Sequence, residues 1–107
     1  MDKINEYLQR TRNVKESQWG TFEGIRPHLI CNDGFEVSVQ ASEYHYCSPR
    51  VNGAAIYNTV ELGFPNMEDS LIMEYAENPY NPTGTVYGYV PVSIVNELIE
   101  KHGGIKE

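Results

Sequence analysis

Two of the three histidines, both cysteines and two of the four arginines fall within residues 25–50, IRPHLICNDGFEVSVQASEYHYCSPR. Imidazole and thiolate are zinc ligands, and His28, Cys31, His45 and Cys47 supply the atoms. Their spacing supplies no ligand pattern. There is no CxxC or HxxxH pair, and His28 and Cys31, three apart on a strand, face opposite sides. No metal and no other cofactor is expected. Cys47 as a nucleophile, with His45 or His28 as base, would need a thiolate stabilised by a cation such as Arg50. No glycine elbow or helix start follows Cys47, and Pro49 brings no amide donor for an oxyanion. The expected role of Cys47 is that of a small buried thiol, and the expected chain is not an enzyme.

The same stretch holds Arg26, His28, Ser38, Gln40, Ser42, Tyr44, His45, Tyr46 and Arg50. Guanidinium planes, aromatic rings and hydroxyls can recognise an anionic or planar small molecule, with Arg26 and Arg50 on phosphates and Tyr44 or Tyr46 stacked on a base. The plainer reading is that Arg26 ties down a loop and the tyrosines continue a strand edge. Tyrosine is abundant, with eight in all. Tyr87 and Tyr89, two apart, are expected on one strand face, which is a docking surface if outward and a core wall if inward.

These side chains need elements to hold them. Asp2 or Asn5 can open a helix whose apolar side is Ile4, Tyr7, Leu8, Thr11 and Val14. Ser17 to Gly24 reads as a connector in which Trp19 docks as an anchor. His28–Cys31 and Phe35–Ala41 read as strands joined by a type I′ turn at Asp33-Gly34, which pairs Ile30 with Val37. Phe35, Val37, Val39 and Ala41 then line the core face, leaving Glu36, Ser38, Gln40 and Ser42 solvated or free to bind. Ser42 to Ala55 is a loop and Ala55 to Leu62 a third strand. Asn66 caps a helix over Met67–Glu77, with Leu71, Ile72 and Tyr75 buried. Thr85 to Val90 is a fourth strand. Pro91 opens a last helix, along which Val92, Val95, Leu98 and Ile99 repeat before a stop at Gly103. The order α-β-β-β-α-β-α implies a single α+β domain over 1–107, with a mainly antiparallel sheet of three to five strands and about three helices.

At 107 residues the chain suits one core. The longest apolar runs are four or five residues, so no membrane span is expected. The N-terminus MDKINEYLQR lacks a signal core, and a cytoplasmic setting follows. The net charge is -7, and the acids are unevenly placed. Residues 51–90 carry Glu61, Glu68, Asp69, Glu74 and Glu77 with no Lys or Arg. Such a block repels nucleic acid, so no direct contact with it is expected, and it can attract a basic protein surface. No phosphate-binding glycine loop is present.

RPHLICNDGFEVSVQAS-EYHYCSPR, with the later TVYGYVPVSIV and KHGGI, resembles small uncharacterised proteins of bacteriophages and integrated mobile elements, from about Gly24 to Ile105. Those relatives carry no assigned activity, so the resemblance transfers no functional residue. It implies a phage or mobile-element protein in the cytoplasm of a bacterial host. The expectation is a non-enzymatic binding protein, an anti-defence (anti-CRISPR-like) inhibitor of a host protein or defence complex that acts through an acidic, tyrosine-rich surface. The alternative is a small-molecule or nucleotide-binding sponge that uses residues 25–50, as a possible homo-oligomer.

Overall fold

The computed structural model describes residues 2–107. Helix α1 (Lys3–Arg10) is opened by Asp2, whose carboxylate accepts the Asn5 amide at 2.9 Å. Strands β1 (Val14–Ser17) and β2 (Gly20–Glu23) pair as a separate two-stranded antiparallel ribbon. Strands β3 (Leu29–Ile30), β4 (Glu36–Gln40), β5 (Thr59–Gly63) and β6 (Val86–Pro91) form an antiparallel sheet in that order. Helix α2 (Val92–Lys101) follows β6 directly. The chain is thus an α+β fold with two helices.

Alternation of apolar residues builds one face of the four-stranded sheet. Val37 and Val39 of β4, Val60 and Leu62 of β5, and Tyr87 and Val90 of β6 are buried. Ile4, Tyr7 and Leu8 from α1 and Val95, Leu98 and Ile99 from α2 complete the same core cluster.

Three side-chain amides fasten this core to its loops. The Asn5 Oδ1 accepts Tyr57 N at 2.7 Å while its Nδ2 donates to Tyr57 O at 3.1 Å. The Gln40 Oε1 accepts Arg26 N at 3.0 Å, and its Nε2 donates to Arg26 O at 2.9 Å. The Asn66 Oδ1 accepts Glu36 N and its Nδ2 donates to Gly34 O. A primary amide holds one acceptor beside two donors, so it can stand in for a backbone unit and satisfy peptide groups that no strand reaches.

Four sequence expectations are corrected. First, the β3–β4 register is Leu29↔Val37 and Ile30↔Glu36, one residue off a two-residue turn. The loop has three residues: Gly34 N donates to Cys31 O, Cys31 N donates to Phe35 O, and Gly34 takes φ 95, the left-handed residue that this loop type requires. Second, no helix spans Met67–Glu77, where only a 3₁₀ turn at Met73–Tyr75 forms. Asn66, the expected cap, and Asp69 are drawn into tertiary bonds instead. Third, Ser17 to Gly24 is a ribbon, and Trp19 at its tip is 88% exposed. Fourth, Val14 lies in β1 and is exposed, outside the α1 stripe.

Candidate functional site

A β-bulge places an aromatic side chain with a left-handed backbone on the surface, a combination that Phe64 shares at φ 51. Leu62 pairs with Tyr87 and Val60 with Val90, so Gly88 and Tyr89 together oppose Glu61. Tyr89 takes φ 53, a left-handed conformation that costs a non-glycine residue about 1–3 kcal/mol. The bulge turns Tyr89 outward, half exposed, while Tyr87 stays fully buried. The expected common face of the two tyrosines is therefore lost, and Tyr87 is a core residue whose hydroxyl donates to Pro82 O.

The loop from Ser42 to Arg50 supplies the rest of this surface. Tyr89 N donates to Tyr46 O at 2.9 Å, and Tyr46 N donates to the Glu61 carboxylate at 3.2 Å. The Tyr46 and Tyr89 rings lie with centroids 5.8 Å apart, and the Arg50 guanidinium sits 5.3 Å from the Tyr46 centroid. Gly88 permits this approach: a Cβ there would stand 3.2 Å from Tyr46 Cβ. Arg50 Nε also donates to Glu43 O, and Tyr44 is 63% exposed. Tyr46, Tyr89 and Arg50 thus form an exposed shelf, with the Glu61 carboxylate holding the Tyr46 amide. His45 is half-buried, with Nδ1 2.7 Å from Ser42 Oγ, and burial holds it below the ordinary imidazole range.

Other members of the expected site do not reach this surface. Arg26, Ser38, Gln40 and Ser42 are buried, which overturns the solvated face proposed for Ser38, Gln40 and Ser42. Residues 25–27 cross that face: Gln40 clasps the Arg26 backbone and Ser38 Oγ accepts from Gln40 Nε2. The Arg26 guanidinium donates to Leu8 O, an unpaired carbonyl in the last turn of α1, and to Ala41 O. It ties the loop, with its guanidinium committed to backbone carbonyls. Asn5, Gln9, Arg12, Arg26 and Tyr57 line a cleft of about 240 Å³, but the side chains of Asn5, Gln9, Arg26 and Tyr57 already bond to backbone there. His28 is exposed and pairs with Glu36 at 3.1 Å.

Of the acids, Glu68, Glu74 and Glu77 are exposed, whereas Asp69 is buried and corrects the acidic surface expected there. Its partner is the histidine that local patterning passed over. His102 reaches Asp33 through Nδ1 at 2.6 Å and Asp69 through Nε2 at 2.8 Å, with Phe35 stacked on its ring at 4.1 Å. Burial works against the His102 charge, but the two carboxylates outweigh it and hold the imidazole above its ordinary range. Both ring nitrogens are engaged, so neither is open to act as a base.

Cys31 and Cys47 are free, buried thiols. Burial pushes Cys31 up to about 11, with Asp33 adding to the rise, and burial likewise raises Cys47. That is the reverse of what an activated nucleophile requires. Among the described residues no group of three or more His, Cys, Asp or Glu is placed to hold a metal, and no helix is long and apolar enough to cross a membrane. Compared with known proteins, the chain matches no family model, no curated protein and no solved structure.

Proposed function

We propose that this chain is a non-enzymatic binding protein that docks a protein partner on the Tyr46–Tyr89–Arg50 shelf. The observation that supports the reading most is Tyr89, an exposed aromatic held in a strained backbone beside a second tyrosine and an arginine. Strain kept at the surface suggests a role beyond folding, and Tyr and Arg are the residue types that dominate binding energy at protein interfaces. Glu77, on the segment whose amide bonds Val86 of β6, is exposed and adds negative charge along the same strand. Together with the overall charge this favours a partner with a basic surface. The phage or mobile-element setting implied by the sequence resemblance makes a bacterial defence complex the first class of partner to test.

The test is capture from bacterial lysate by the tagged full chain at low and moderate salt. The wild type is expected to retain a partner, and the Tyr46→Ala, Tyr89→Ala double variant to weaken it by at least about a hundredfold, since each such anchor contributes about 2 kcal/mol. Equal retention by the double variant, or no partner at either salt, would sink the reading.

A further inference from the structure

The β1–β2 ribbon differs from every other element. All four residues of β1 and Gly20 to Phe22 of β2 are exposed. An isolated two-stranded ribbon is marginal in water, and this one displays Trp19, Phe22 and, just beyond it, Ile25 at 72% exposure. The edges of the main sheet are occupied. Lys106 N donates to Ile30 O beside β3, while Tyr46 and Glu77 bond β6. Among the described residues no backbone group outside the ribbon bonds to either of its strands.

We propose that β2 is a self-association edge, on which two copies of this chain pair β2 with β2 antiparallel about a twofold axis to make one four-stranded sheet. Ladder parity and charge select this edge. Gly24 N donates to Asn13 O, so the alternation of an antiparallel ladder turns Lys15 and Phe22 toward each other. The peptide groups of Val14 and Glu16 then point away on one side, and those of Thr21 and Glu23 on the other. On the β1 side, either register that joins three residues of β1 to their copies sets Lys15 against Lys15 or Glu16 against Glu16, and like charges in direct opposition are destabilising. On the β2 side, the register centred on Phe22 sets Phe22 against Phe22 and Thr21 against Glu23, with Trp19 level with Ile25 of the other copy. No like charges meet.

A second observation concerns Glu23. Its side chain is 4% exposed and pairs with Arg12 through Oε1, but Oε2 is buried without a hydrogen-bond partner. Pairing on the β2 edge brings the Thr21 hydroxyl, a donor, opposite that carboxylate. Lys15 then flanks the new sheet at both outer edges, where a charged lysine discourages further addition of strands. The assembly closes as a dimer.

Sedimentation equilibrium on the full chain, from micromolar to near-millimolar concentration, tests this. The wild type is expected to dimerise reversibly. Phe22→Lys, which places two ammonium groups on the axis, is expected to raise the dissociation constant at least about tenfold. Lys15→Ala should leave it unchanged. Phe22 occupies a non-hydrogen-bonded pair, with Cα atoms about 4.5 Å apart, so Phe22→Cys should cross-link under mild oxidation whereas Lys15→Cys should not. A wild type that stays monomeric throughout, a Phe22→Lys variant that dimerises like the wild type, or equal cross-linking at positions 15 and 22 would each overturn the proposal. A monomer that still captures a partner would remove the pairing alone, and a dimer that captures nothing would remove only the docking shelf.

Discussion

Residues 25–42 and 43–50 contain similar materials, arginine beside hydroxyl and imidazole groups, and the fold uses the arginines in opposite ways. In the first segment Arg26 and Gln40 are turned inward, Arg26 on the Leu8 and Ala41 carbonyls and Gln40 on the Arg26 backbone. In the second, Arg50 and the Tyr46 ring remain at the surface, joined to each other and to one carbonyl. The difference lies in the number of unpaired backbone groups within reach. The last turn of α1 and the crossing at residue 26 present peptide groups that must be satisfied, and they absorb the nearest polar side chains. The 43–50 loop bonds its own backbone to Glu61 and Asn52 and leaves its aromatics unclaimed.

That contrast predicts a graded series. Arg26→Met should be the most damaging change, costing about 3–4 kcal/mol in urea unfolding, because the Leu8 and Ala41 carbonyls stay buried and unpaired. Arg50→Ala should stay within about 0.5 kcal/mol of wild type. Equal effects at the two arginines would erase the distinction. Gln40→Leu should cost about 2 kcal/mol, since both Arg26 peptide groups lose their partner.

A third polar group sharpens the comparison through pH. His102 is held above its ordinary range, so its contribution to stability is complete below the unfolded-state value of 6.5 and is lost as pH rises through the higher folded value. Asp69 is opposed by burial but lowered by bonds from the Leu71 amide, His102 and Lys101. Its contribution is present above 3.8 and fades as pH falls through the lower folded value. Urea midpoints should therefore fall on both sides of a plateau, and His102→Gln should remove most of the alkaline limb. A midpoint that climbs from neutral to alkaline pH in the wild type would contradict this. The smallest effect belongs to the shelf. Tyr89→Gly relieves the left-handed backbone and should match wild-type stability within about 1 kcal/mol while weakening capture of a partner, whereas β-branched Tyr89→Val should lose stability.

Much of the scaffold was legible from residue order. Alternation over Val37, Val39 and Ala41 marked a buried strand face, and the spacing of Val95, Leu98 and Ile99 after Pro91 marked α2. The hairpin was legible but its register was not. Asp-Gly suits a two-residue turn, whereas Gly34 serves as the third residue of a longer loop, and both readings contain the same dipeptide. Ser38 and Gln40 were read as open because strand alternation says nothing of a distant segment that covers the second face. His102 lies 69 residues from Asp33 and 33 from Asp69, beyond any local pattern. Tyr89 was read on one face with Tyr87 because period two assumes an unbroken ladder, and the bulge inserts a residue.

The amide clasps at Asn5, Gln40 and Asn66 carry a consequence for the ageing of the chain. Slow hydrolysis turns a primary amide into a carboxylate of nearly the same shape, exchanging its two donors for a second anionic acceptor. At each clasp that oxygen would confront the carbonyl of Tyr57, Arg26 or Gly34. One released ammonia would convert an attraction into a repulsion with no change in bulk.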